Sequence, residues 1–551
     1  MLPQIIGGRF VVSFWVFIFL FLSSILVFVI AVLVTVYWII EKKEGKKSEN
    51  TDGTSRPVKD TAWLWVSAVV LVLLTIVSYS IYGKDTDCWL CWPSSKASAP
   101  DILAGWVQVM PENGACASMP GENENDASRV PVTCLVKFSV RAVVAHGEVC
   151  PSVIVDGDER SRQLKQRSLP IQSNRFDQIN VCELPLEENT KSLQFLGGRA
   201  IPVKRNWKGG PPKIVFIGDT GCRGMAGKPP QHCRAGQWPF KEIADESADQ
   251  SPDLVIHLGD YMYGGEDTWE DWNKYFFEPA RSLLEAAPWV AVRGNHERRS
   301  SENHWRGFYL FFGGASAMTG DKALELAEPY AVDLSPKLRL IVADSAAAFA
   351  EKRDAVIESK CGIAPSTGSI SINDANVCTA IKEVLSRVGT LEQRKQAGMR
   401  VWLATHVPVW AIEKDEKSDN YYVPNSSAMM LGAWRAKPVQ NLDFIFSGDR
   451  HLYQLVKPKS RLAPIQVAVG TGGVNLDLLP HSGVELEASF IASTNAKLES
   501  DKGCSYREHG YLMATQDSSQ EKYEFTFHPR SDSYLPDNTI CRRDFPQSIA
   551  R

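Results

Sequence analysis

The sequence predicts an α/β domain with covered sheet faces, preceded by a small β-rich domain and two transmembrane helices. Three observations carry this reading. Seven short apolar runs between residues 213 and 469 alternate with helix-like stretches. Residues 85–209 are dense in β-branched residues broken by Gly, Pro, Asn and Asp. The first 84 residues contain two long runs without a charge. A chain of 551 residues is also too long for one core, so several domains are expected.

Residues 1–84 read as a membrane anchor. Phe10 to Ile40 is 31 residues without a charge. At the helical rise this is roughly 46 Å, more than the ~30 Å of a hydrocarbon core. Thr61 to Tyr82 adds 22 uncharged residues, about 33 Å, a comfortable span. A cleaved signal peptide fits poorly, because the apolar run is too long and no small-residue cleavage site follows it. The loop between the spans carries Lys42, Lys43, Lys46, Lys47, Arg56 and Lys59. The positive-inside rule puts that loop in the cytoplasm and everything after residue 84 on the far side. The expected location is the cell membrane (the inner membrane in a Gram-negative cell), with the bulk of the chain periplasmic or extracellular.

The cysteines agree with that orientation. All twelve follow the second span, and an even set in an exported region points to disulfides. Nearest-neighbour pairing gives Cys222 with Cys233, Cys361 with Cys378 and Cys504 with Cys541. Cys88 and Cys91 form a CxxC without the βαβ context of a redox motif or the second CxxC of a zinc ribbon, so a structural bridge is the simpler reading.

Residues 85–209 form the expected β-rich domain, and no catalytic constellation is visible there. From residue 210 to 551 the pattern is α/β. The apolar runs are 213–217, 254–256, 289–292, 338–342, 401–404, 444–446 and 465–469; helix-like segments include 238–249, 269–287 and 376–396. Buried strands alternating with helices imply a sheet covered on its faces, with ligands at the carboxyl ends of its strands. Two late runs, 510–514 and 523–527, read as strands completing a second sheet. Net charge is −4 and there is no basic stripe with interleaved aromatics, so no nucleic-acid scaffold is expected.

Five of the runs end in polar sets: Gly218-Asp219-Thr220-Gly221, Gly259-Asp260-Tyr261-Met262-Tyr263, Gly294-Asn295-His296-Glu297, Thr405-His406-Val407-Pro408 and Gly448-Asp449-Arg450-His451. Any one of these has an ordinary explanation as a turn or a helix cap. Tyr263 alone would read as a packed aromatic, and His257 reads as a packed histidine. Five sets on one sheet edge are hard to explain as caps. Carboxylate, imidazole and amide oxygen together make a ligand set suited to Fe, Mn or Zn.

The series GDTG, GDYMY, GNHE, THVP and SGDRH resembles the calcineurin-like metallophosphoesterase superfamily, and its purple acid phosphatase branch in particular, over about residues 211–475. The resemblance implies a four-layer sandwich of two mixed β-sheets flanked by helices, and a centre of two metal ions. Asp219 and His451 would bind the first metal, with Tyr263 where that branch places a phenolate on Fe(III). Asp260 would bridge the two. Asn295 and His406 would bind the second, a divalent Zn, Mn or Fe. His296 would face the phosphate as the catalytic histidine, and Glu297 would orient its surroundings. The implied reaction is hydrolysis of a phosphate ester by metal-activated water, a monoester first and a diester second.

SGDRH departs from the family's GHxH, which has histidine where this chain has Asp449. Three readings stay open: Asp449 ligates the second metal in a harder, more anionic site; it caps or pairs with Arg450 and the second site is weak; or catalysis is lost. Arg450 suits substrate phosphate as a guanidinium, or is a solvated surface residue. The rival class is a non-catalytic metal-binding or envelope-organising protein on a degenerate version of the fold.

Overall fold

A computed structural model describes residues 101–530 apart from 111–132, 314–325, 349–371, 478–503 and shorter stretches of at most six residues. The two uncharged runs, the basic loop, Cys88 and Cys91 lie outside the described residues. Among the described residues no helix is long and apolar enough to cross a membrane.

Two large sheets dominate. One has nine strands, in the order Lys522–Pro529, Gly510–Asp517, Lys213–Ile217, Leu254–His257, Trp289–Ala291, Ile102–Val109, Phe138–Ala145, Ile179–Pro185 and Lys165–Gln166. The other has seven, in the order Tyr330–Ser335, Leu338–Val342, Arg400–Ala404, Phe444–Ser447, Ile465–Val469, Tyr453–Val456 and Cys504–Tyr506. Both are mixed: neighbours 213–217, 254–257 and 289–291 run parallel, and so do 338–342, 400–404, 444–447 and 465–469. The seven apolar runs of the sequence are all strands, because each is buried on both faces and bounded by turn residues.

Side-chain alternation sorts these strands into layers. Ile214 and Phe216 point inward and join Leu340, Trp402, Phe444, Phe446 and Val467 in the core between the sheets. Phe216 stacks on Phe446 with ring centroids 4.0 Å apart, and Trp402 lies edge-on to Phe446 at 5.3 Å. Val215, Ile217 and Val255 point outward, against Phe240 and Ile243 of the helix Phe240–Asp249 and the aromatic cluster of Trp272, Phe276, Phe277 and Phe311. On the far side Ile341, Val401, Leu403 and Ile445 pack on the helices Ile372–Gln393 and Asn425–Ala436. Three apolar layers thus separate helix, sheet, sheet and helix.

Three expectations meet a different arrangement. The region 269–287 is not one helix: Trp269–Trp272 passes into a π-helical segment, Asn273–Phe277, and a separate turn, Arg281–Leu284, follows. Pro279 lies in the break, where it removes a backbone donor and disfavours helix in the residue before it. The late strands do not complete the second sheet; Gly510–Asp517 pairs antiparallel with Lys213–Ile217 and extends the first. The strands of 85–209 divide. Four short ones, Ser161–Gln163, Ser152–Val155, Ser192–Phe195 and Ala200–Pro202, make a sheet of their own. Ile102–Val109 instead pairs parallel with Trp289–Ala291 and antiparallel with Phe138–Ala145. A boundary at 209 therefore cuts across one continuous sheet, a non-local pairing that local sequence pattern does not reveal.

The disulfides Cys222–Cys233 and Cys150–Cys182 are formed, the first as nearest-neighbour pairing predicts. Cys134 and Cys378 are disulfide-bonded as well. Cys361 and Cys541, the expected partners of Cys378 and Cys504, lie outside the described residues.

Candidate metal centre

The five polar sets meet where the parallel strands of both sheets end. Three of the turns are sharp. Asp219, Asp260 and Asp449 have φ of 57°, 56° and 64°, left-handed values that non-glycine residues seldom adopt. Such strain persists where surroundings over-determine it and concentrates at functional sites. The glycine beside one of these turns is also required. Gly259 has φ of 98°, and a Cβ there would stand 2.5 Å from His406 Nδ1.

One carboxylate holds the Asp260 turn. Glu297 is fully buried; its Oε2 accepts from the amides of Asp260 and Gly294 at 3.0 Å each, and its Oε1 from those of Tyr261 at 2.9 Å and Met262 at 3.3 Å. Burial and the Asp260 charge push its carboxyl well above the usual range, while the backbone donors pull it down. Since four N–H groups point at it, we take it as the acceptor-only carboxylate.

The site has two halves. In the first, the Tyr263 hydroxyl donates to Asp219 Oδ1 at 2.6 Å and lies 2.9 Å from His451 Nε2, which is 3.5 Å from Asp219 Oδ1. In the second, His406 Nε2 lies 2.9 Å from Asn295 Oδ1, 3.4 Å from Asp260 Oδ1 and 3.9 Å from Asp449 Oδ1. His406 Nδ1 faces the Leu258 carbonyl at 2.7 Å, which fixes the proton on Nδ1 and leaves Nε2 as the ligating atom. One ligand atom each from Asp219, Asp260 and His406 lies within 4.8 Å of the others.

This arrangement fits cations. Lone pairs of buried carboxylates, an amide oxygen and imidazoles converge, and such convergence repels unless positive charge sits among it. With no metal, protons take that place. Burial pulls the His406 imidazole down, but Asp260 more than offsets it and its pKa rises to about 10. His451 rises to about 9, burial being outweighed by Asp477 and Asp219. Burial raises the Asp260 carboxyl, yet His406 and His296 hold it below the usual carboxylate range. Asp219 is raised, chiefly by burial, and Tyr263 stays well above a free phenol through burial and the adjoining Asp219 and Asp260.

The centre opens into a cavity of about 400 Å³ lined by Asp260, Tyr263, Asn295, His296, Asp449 and His451, with Arg223, Arg450 and Asp477. Asp219 and His406 lie buried beneath it. His296 packs its ring 4.3 Å from that of Tyr263, and burial lowers its pKa to about 4. Its backbone N–H donates to Asp260 Oδ1 at 2.9 Å. Arg450 is tied to Asp449 Oδ2 through Nε at 2.8 Å and Nη2 at 2.7 Å. Asp449 thus offers Oδ2 to Arg450 while Oδ1 faces the second half of the site. His257 is a packed histidine, stacked 3.9 Å from Tyr261 and 3.0 Å from Thr220 Oγ1.

Sequence reasoning missed three residues here. Asp477 accepts from the His451 amide at 2.8 Å and stands 3.4 Å from its Nδ1, a carboxylate behind a ligating histidine. Ser345 follows Leu338–Val342, one of the two strands whose ends were passed over; its Oγ accepts from His406 N at 3.2 Å and Val407 N at 2.8 Å. Arg223 reaches the cavity four positions after Asp219. That short offset from a ligand was its only signal.

Acidic, imidazole and phenol groups gathered at the strand ends of a helix-sheet-sheet-helix sandwich make a candidate metal centre. Residues 212–453 match the model of the calcineurin-like phosphoesterase family, and the match supports a metal-dependent phosphoric ester hydrolase. No curated protein sequence matches the chain. Solved structures similar to it include the purple acid phosphatase PPD1 from yellow lupin (Lupinus luteus) seeds, 13% identical, with 80% of this chain and 90% of that one covered and a TM-score of 0.44. PhoD is 10% identical, with 79% and 87% covered and a TM-score of 0.45.

Proposed function

We propose that the protein is a membrane-anchored phosphoesterase acting outside the cytoplasm, with two metal ions and a preference for phosphate monoesters over diesters. The observation that carries the catalytic part is the convergence of Asp219, Asp260 and His406 within 4.8 Å beneath an open cavity. Asp219, Tyr263, His451 and Asp260 would hold a first ion, Fe(III) by virtue of the phenol. Asp260, Asn295, His406 and Asp449 would hold a second, divalent ion. Bound there, the ions neutralise phosphate oxygens and lower the pKa of water. The side chains do the rest. His406 keeps its proton on Nδ1 and so presents Nε2. Asp477 and Glu297 fix His451 and the Asp260 turn. His296, neutral at pH 7, donates a ring N–H to the leaving oxygen of the ester. The anchor rests on the two uncharged runs and the basic loop between them.

The test uses the detergent-solubilised full chain. Metal content is measured, and p-nitrophenyl phosphate is compared with bis(p-nitrophenyl) phosphate. Two ions per chain and faster monoester turnover are expected, with turnover abolished in Asp260→Ala. A chain that binds no metal and turns over neither ester is the non-catalytic binding protein instead. Protease protection of the region after residue 84 in sealed vesicles checks the orientation.

A further inference from the structure

We infer that Arg223 is the substrate-binding residue that gives this site its preference for dianionic phosphate; the inference rests on the phosphoesterase reading and deepens it. Among the described residues, Arg223 and Arg450 are the guanidiniums on the cavity wall. They are differently placed. Arg450 is engaged through Nε and Nη2 with the Asp449 carboxylate. Arg223 puts Nη2 3.2 Å from His451 Nδ1 and its guanidinium carbon 5.6 Å from the centre of the Tyr263 ring. It therefore stands beside two of the three residues of the first half-site, His451 and Tyr263, at the cavity surface.

The backbone around Arg223 is clamped. Cys222, fully buried, is bonded to Cys233. The Arg223 amide donates to Gln231 Oε1 at 3.1 Å, and Gln231 Nε2 donates to the Gly473 carbonyl at 2.8 Å. Trp238 Nε1 donates to the Thr220 carbonyl at 2.9 Å. Gly264 packs so close that a Cβ there would be 2.9 Å from the Arg223 carbonyl oxygen. A solvated surface arginine has no use for such support. A ligand-binding arginine does, because a pre-placed fork loses less freedom on binding.

The charge arithmetic then favours monoesters. A guanidinium fork pairs with two phosphate oxygens at once. A monoester near neutral pH carries close to two negative charges, a diester one. Removing a cation beside the phosphate therefore costs the monoester more, and costs inorganic phosphate, the product, alike.

The experiment uses the metal-loaded full chain and the variants Arg223→Met and Arg223→Lys. Calorimetry reads inorganic phosphate binding; steady-state assays read the same two p-nitrophenyl esters. For Arg223→Met we expect at least a tenfold weaker phosphate Kd and a 10- to 100-fold lower monoester kcat/KM, with KM taking most of it. Diester kcat/KM should fall less than threefold, and metal content should hold. Arg223→Lys should recover part of the phosphate affinity. Unchanged phosphate affinity in Arg223→Met, or equal losses on both esters, overturns the inference. Failure of the wild-type chain to turn over either ester defeats the parent reading instead, while its phosphate titration still decides on Arg223.

Discussion

Glu297→Gln is the substitution that most directly tests how the site is held. The two carboxylate oxygens of Glu297 share four backbone donors, from Asp260, Tyr261, Met262 and Gly294, at 2.9 to 3.3 Å. A glutamine has one oxygen and one NH2 group in the same space. Whichever way it is turned, two buried N–H groups then face a donor. Each orphaned group costs about 1–3 kcal/mol, so the gross loss is about 2–6 kcal/mol. Removing a buried charge returns part of this. We expect about 2–4 kcal/mol net, measured by urea unfolding of the metal-free protein. Since the freed turn carries Asp260, metal retention after dialysis should fall with it. A loss under about 1 kcal/mol with full metal content would show that the turn stands without Glu297 and that the reasoning is wrong.

Three further outcomes follow from the geometry. Asp449→Ala should weaken binding of the second metal at least tenfold in competition titrations while leaving the first in place; unchanged affinity would mean that the carboxylate serves Arg450 alone. The metal-free protein should lose thermal stability between about pH 7 and 10, because the folded pKa values of His406 (about 10) and His451 (about 9) exceed the unfolded value near 6.5. Protonation stabilises fully below the unfolded value and the gain vanishes as pH rises through the folded ones; the metal-loaded protein should melt nearly independently of pH over that window, and a metal-free curve that rises instead would refute the assignment. Gly307→Ala should destabilise by about 1–3 kcal/mol in urea, although alanine favours helix by ~1 kcal/mol, because its Cβ would collide with the Trp272 indole nitrogen inside the aromatic cluster.

Much of this site was legible because a metal centre at strand ends writes itself into the sequence. Lys213–Ile217 and Phe444–Ser447 stop where Asp219 and Asp449 begin their turns, and period and polarity mark both. The strained φ at those aspartates was not legible, since an aspartate after glycine looks the same in any turn. The partners Asp477 and Ser345 were hidden for another reason. Each acts through a histidine more than twenty residues away in sequence, and only folding gives that distance a value. The role of Asp449 was posed by the sequence as one choice among three. The structure splits it between two oxygens, one on Arg450 and one toward His406.

The hydrogen-bonded run from Trp289–Ala291 into Ile102–Val109, and from Lys213–Ile217 into Gly510–Asp517, bears on how the enzyme can be cut. A fragment trimmed to residues 212–453 would keep every proposed metal ligand and lose the neighbour on each side of its central three-stranded ribbon. Both flanks would then present bare amides and carbonyls, an invitation to self-association. The smallest piece worth expressing begins before Ile102 and ends after Pro529. The catalytic strands are the middle of a larger weave.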